Sequence, residues 1–223
     1  MIPLSDAPSE ARRLFPFVNL AIIAANVLVF LWMLVAVPAQ ATDAFYLQWG
    51  TVPGRIASGE GYVTILTAMF IHGGWLHILG NMLYLWIFGD NVESAMGHVK
   101  YLLFYLICGV AAALAQVFID PTSTVPAVGA SGAIAGVLAA YVLFYPSAQV
   151  RTLIFLGIFF TITRVSALIL IGLWIVLQVF SGLAELGAAS AGGVAYFAHI
   201  GGFLIGLVLA NLFRGRQQAG YLR

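Results

Sequence analysis

The chain has 223 residues, 62% hydrophobic and 8% charged, with nine basic and eight acidic side chains and a formal net charge of +1. A water-soluble domain carries about a quarter charged residues, so this chain cannot cover its own surface in water, and a mean hydropathy of +1.03 places it among polytopic membrane proteins. The absence of a basic run argues against a nucleic-acid partner, and the lone Cys108, inside an apolar run, excludes an internal disulfide or a Cys-x-x-Cys zinc pattern.

A helix needs about 20 apolar residues to cross the bilayer hydrocarbon. Six segments qualify, at about 17–37, 74–90, 99–118, 131–145, 164–181 and 196–213. The first follows Arg12-Arg13 and is too long, with no cleavage signature after it, for a signal peptide. The loop over 38–73 carries Phe45, Tyr46, Trp49, Tyr62 and Phe70 with only three charges, a composition suited to the membrane interface.

The second span opens with His72-Gly-Gly-Trp-Leu-His77-Ile-Leu-Gly-Asn81. His77 and Asn81 lie four residues apart and so share one helix face, and both can donate hydrogen bonds. His72, set off by two glycines, belongs just above the helix. Several histidines could also hold zinc, but no His-Glu-x-x-His pattern is present and no acid lies among them. No metal and no cofactor are therefore expected.

Before the fourth span, Pro126 leads into Gly129-Ala-Ser131-Gly132. Glycines there let the backbone turn and approach a ligand closely. A helix N-terminus adds unpaired N–H groups and the positive end of the dipole beside Ser131. The alternatives are a simple N-cap or a small residue in the Gly132-x-x-x-Gly136 packing pattern. Pro146 ends the span. The apolar stretch from Val150 to Thr163, bracketed by Arg151 and Arg164, is too short for a further span and reads as a loop at the interface. The fifth span contains Trp174 and Phe180, and the Gly/Ala/Ser loop over 182–194 after it reads as a mobile flap.

The sixth span opens with Ala198-His199-Ile-Gly-Gly202 and continues as Gly202-x-x-x-Gly206. Small residues at that spacing let helices approach, so the fourth and sixth spans can pack through their glycine faces and bring Ser131 to His199. A histidine bonded to a backbone carbonyl, or one ligating a metal or haem, are the alternatives. The acids Asp43, Glu60, Asp90, Glu93, Asp120 and Glu185 all fall in loops or at span ends, so a Ser–His dyad without a carboxylate is expected.

Orientation follows from basic residues. With six spans, Arg12, Arg13, Lys100, Arg151, Arg164, Arg214, Arg216 and Arg223 share one side, and Arg55 alone lies opposite. Both termini are then cytoplasmic, as short tails of about 1–16 and 214–223, and Ser131, His199 and His77 gather toward the outer face.

Together these motifs resemble the rhomboid intramembrane serine proteases. The similarity runs from about Thr64 to Asn211 and rests on His72-x4-His77-x3-Asn81, Phe88-Gly89 with Glu93 and Gly97, Gly129-x-Ser131-Gly132 and Ala198-His199-x-Gly201-Gly202. The resemblance implies an all-α, single-domain, six-span bundle with an interfacial first loop. It implies Ser131 as nucleophile and His199 as general base, with His77, Asn81 and the Ser131 backbone N–H forming the oxyanion hole. His72, Gly129 and Gly132 have supporting roles, and Glu93 is structural. Single-span membrane proteins would be substrates, cut in or near their helices. A prokaryotic plasma membrane is the expected setting, with an organelle membrane as the alternative. Two positions depart from the pattern. Ala135 stands where many members carry an aromatic ring against the histidine, leaving Tyr196 or Phe197 to hold it, and Val63-Thr64 replaces a Trp-Arg pair in the first loop. A catalytically silent relative that binds membrane proteins is the rival reading, with a small transporter behind it. The oligomeric state is not legible.

Overall fold

A computed structural model describes residues 1–6, 14–157, 159–186 and 193–215. Arg12, Arg13, Arg216 and Arg223, used above for orientation, and residues 187–192 of the expected flap lie outside these. In chain order the elements are strand β1 (Ile2–Asp6), helix α1 (Phe17–Ala36), short helices α2 (Thr42–Trp49), α3 (Pro53–Ala57) and α4 (Thr64–Thr67), and helices α5 (Trp75–Met96), α6 (His98–Ile119) and α7 (Ser131–Phe144). Strands β2 (Gln149–Leu156) and β3 (Phe159–Ser166) and helices α8 (Ala167–Glu185) and α9 (Tyr196–Phe213) complete it. Among the described residues, α1, α6, α8 and α9 are long and apolar enough to cross a membrane. The chain is an integral membrane protein.

Each of the six apolar segments contains a helix. At 14 residues α7 is the shortest of these, and 11 of the 14 are buried, so it forms the centre of the bundle rather than a lipid-facing wall. Its small residues let α9 lie directly against it. A Cβ at Gly202 would fall 2.0 Å from the Gly132 carbonyl oxygen, and one at Gly206 would fall 2.6 Å from the Gly136 Cα. These are backbone contacts that only glycine permits.

Helix α5 runs six residues beyond the expected end because its polar C-terminal turns have partners. Glu93 is fully buried and accepts hydrogen bonds from the Val18 and Asn19 N–H groups at 3.0 and 2.7 Å, while His98 Nδ1 meets the same carboxylate. No side chain of the preceding Pro16 can cap α1, so a carboxylate from another helix satisfies its orphan donors and the positive end of its dipole. Glu93 is structural, as expected.

The all-α expectation is corrected by a three-stranded antiparallel sheet in the order β1-β2-β3. The stretch read as a loop over 150–163 is a hairpin, with Arg151 opposite Arg164 and Phe155 opposite Phe160. Its β-branched and aromatic residues alternate faces. Val150 and Thr152 are fully buried, while Arg151, Phe155 and Phe160 point outward. Residues 2–6 of the N-terminal tail also depart from the all-α expectation, since they form β1. Asp6 Oδ2 accepts from the Tyr141 hydroxyl at 2.8 Å and the Asn91 amide at 2.7 Å, tying β1 to α7 and α5. A pairing across about 150 residues leaves no local trace in either segment.

The loop over 38–73 folds into its short helices and braces the segment before α7. Thr51 and Ala127 exchange backbone hydrogen bonds at 2.9 and 2.8 Å, and the Gly129 N–H donates to the Ala68 carbonyl at 2.8 Å. These contacts fix the approach to Ser131.

Candidate active site

Ser131 is the first residue of α7, and its N–H is therefore among those with no acceptor inside the helix. His199 lies in the first turn of α9, whose start is anchored by Gln116 Oε1 accepting from the Ala198 N–H at 3.3 Å. With α7 and α9 in glycine contact one turn below, the Ser131 Oγ and His199 Nε2 stand 2.7 Å apart, within hydrogen-bond range. His199 is 7% exposed.

What holds the imidazole differs from the expectation of Tyr196 or Phe197. Both contacts come from α8. The Gln178 Oε1 lies 2.7 Å from His199 Nδ1, and the Trp174 ring packs on the imidazole with centroids 5.7 Å apart. Gln178 is not among the site residues expected from the sequence. The available signal was a primary amide isolated in an apolar span, a residue type that needs a partner there.

His77 and Asn81 share one face of α5 and line, with Tyr84, Ser131, Trp174 and His199, a cavity of about 540 Å³. His77 Nδ1 accepts from the Gly73 N–H at 3.3 Å, so Nε2 bears the proton of the neutral ring and is a donor. Asn81 is buried, and among the described residues its Nδ2 has no hydrogen-bond partner. Buried donors are rarely left unpaired without a reason. At Gly129 the backbone has φ of +124°, and a Cβ would fall 2.6 Å from His77 Nε2. Glycine is required there on both counts.

Two supporting residues lie elsewhere. Gly132 faces α6 and α9, where a Cβ would fall 2.5 Å from the Ala112 Cβ, so its role is packing. His72 is fully buried behind His77, ring centroids 5.0 Å apart, and lines a second cavity of about 270 Å³ with Tyr46 and Trp75. Burial, and then the neighbouring His77, push His72 down to about 4 from its usual 6.5. It is neutral at physiological pH.

The site thus gathers a hydroxyl, an imidazole on it and unpaired donors in one partly apolar cavity. That set is suited to acyl transfer.

Residues 59–216 match the family model of the Rhomboid domain. Over 151 residues, 66% of the chain, it is 36% identical to "Rhomboid-like protein 11, chloroplastic" of Arabidopsis thaliana, covering 51% of that protein. It is 33% identical over 165 residues to "Rhomboid protease GluP" of Bacillus subtilis, covering 74% of this chain and 28% of the relative. With "Putative rhomboid protease YdcA" of the same organism it shares 30% over 132 residues, 58% of this chain and 62% of the relative. The chain spans under two thirds of the length of each of these relatives. The match to the domain over most of the chain, together with the site just described, makes this protein a member of the rhomboid family.

Proposed function

We propose that the protein is an intramembrane serine protease that cuts peptide bonds in or near the transmembrane helices of single-span membrane proteins. The observation that carries this reading is the 2.7 Å approach of His199 Nε2 to Ser131 Oγ at the wall of the cavity.

In this mechanism the Ser131 oxygen attacks the scissile carbonyl carbon while His199 Nε2 takes the hydroxyl proton. The tetrahedral oxyanion receives hydrogen bonds from His77 Nε2, the Asn81 amide and the Ser131 N–H. Collapse breaks the C–N bond, and His199 returns the proton to the leaving amine. Water, activated by the same imidazole, then hydrolyses the acyl-enzyme ester. A scissile bond inside a wound helix is shielded by its own hydrogen bond, so the substrate must unwind at the cut. Weak helices with small residues are favoured.

The wider reading treats α1, α5, α6, α7, α8 and α9 as six spans of one domain, with both termini cytoplasmic, the site toward the outer leaflet and the loop over 38–73 at the interface. The charge pattern is consistent with it: with six spans, Lys100, Arg151, Arg164 and Arg214 share one side. A prokaryotic plasma membrane is the proposed setting. The competing reading, a silent member that binds membrane proteins, is disfavoured by the retained serine and histidine.

Labelling with a fluorophosphonate tests this directly. Covalent labelling of wild type, lost in Ser131→Ala and strongly slowed in His199→Ala, supports an activated serine. Equal labelling of all three contradicts it.

A further inference from the structure

Between Ala167 and Phe180, Gln178 is the one polar side chain of α8 apart from the Trp174 indole. A primary amide in hydrocarbon is costly unless it is hydrogen-bonded, and this one meets the catalytic candidate itself, Oε1 to Nδ1 at 2.7 Å. With Oε1 toward the ring the amide can only accept, an arrangement that calls for the ring proton on Nδ1. Nε2 then presents its lone pair to the Ser131 hydroxyl 2.7 Å away. That is the tautomer a general base requires. The opposite one would present an N–H to the serine and could take no proton. Among the described residues, the other groups facing the ring are Ser131, Trp174 and, across the cavity, His77. None is a carboxylate.

The element bearing Gln178 is lightly held. Only Ala167, Leu170, Ile171 and Gly182 of α8 are buried, all toward its ends, whereas Trp174 and Gln178 sit one turn apart in the half-exposed middle. At that level both touch His199.

We infer that Gln178 is a positioning residue for the proposed protease reaction: it fixes the His199 tautomer and makes alignment of the base depend on α8 being seated against α9. A helix that moves aside to admit a substrate would thus leave the base untethered, and the dyad would be competent only once α8 returns. This rests on the protease reading above.

The test compares wild type, Gln178→Leu, which keeps volume but offers no acceptor, and Gln178→Glu, which keeps an acceptor oxygen. Cleavage of a single-span substrate in liposomes gives kcat and KM, and ¹⁵N spectra of histidine-labelled protein give the His199 tautomer. Gln178→Leu should lower kcat about tenfold to a hundredfold, part of the 10² to 10⁴ that a placed base contributes, with KM nearly unchanged. Gln178→Glu should restore most of the rate. Wild-type His199 should carry its proton on Nδ1, and Gln178→Leu should lose that preference. An unchanged or raised kcat in Gln178→Leu, the result of a mere latch whose loss frees α8, overturns the proposal. So does a wild-type His199 with no proton on Nδ1. If wild type cuts nothing, the protease reading fails separately, and the spectra alone decide the role of Gln178.

Discussion

Gly202 of α9 rests on the carbonyl of Gly132 in α7, so closely that a Cβ would stand 2.0 Å from the oxygen. Gly132 follows Ser131, and Gly202 lies three residues beyond His199, so this contact sets the separation of hydroxyl and imidazole.

Gly202→Ala should therefore harm activity and stability together. The added methyl must push the helices apart, at a cost of about 1–3 kcal/mol for overpacking. The 2.7 Å hydrogen bond would open with it. Thermal unfolding in detergent and fluorophosphonate labelling should both decline. A variant with normal stability and labelling would show that the helices can adjust without moving the dyad.

Asn81→Leu should separate the two effects. The amide Nδ2 has no partner among the described residues, so its loss leaves no new unpaired group. Stability should change little, whereas kcat should fall about 10²- to 10³-fold, the usual effect of removing an oxyanion donor. A fall in stability with unaltered turnover would assign Asn81 to packing.

Glu93→Ala should do the reverse. It strands the Val18 and Asn19 N–H groups, at a cost of about 2 kcal/mol or more for buried donors. Glu93 lies about 24 Å along α5 from His77 at 1.5 Å per residue, so the folded fraction should keep its labelling rate. Calorimetry and probe labelling on the same samples check both halves.

The sequence-legible parts share a physical basis: they are local. Apolar runs show the helices, glycines every fourth residue show the α7–α9 seam, and His77 and Asn81 reveal their shared face by spacing alone. The overlooked parts depend on distant pairing. Asp6 gains meaning only with Tyr141 and Asn91 beside it, and the strand pattern over 149–166 is apolar enough to pass for an interfacial loop. Gln178 was hidden for the same reason. Nothing within α8 says which ring it meets. Ala135 removed the expected support for His199, and the replacement came from a different helix.

His72 gives a pH signature. Its folded form resists protonation until about pH 4, whereas the unfolded chain binds a proton near 6.5. Below 6.5 the unfolded state thus holds more protons, and stability falls as the pH drops toward 4, by up to about 3 kcal/mol. Above 6.5 the contribution is fully present. Melting temperatures from pH 7.5 to 4.5 should slope less in His72→Leu than in wild type. Parallel slopes would mean that His72 takes up a proton in the folded state as readily as in the unfolded chain.

The most direct measurement is cleavage of single-span substrates by purified protein in liposomes, wild type beside Ser131→Ala. The account predicts that wild type releases two fragments from a substrate whose helix carries small residues near the outer face, and that Ser131→Ala releases none while folding normally. Equal cleavage by both proteins, or none by a folded wild type across a panel of such substrates, would contradict it.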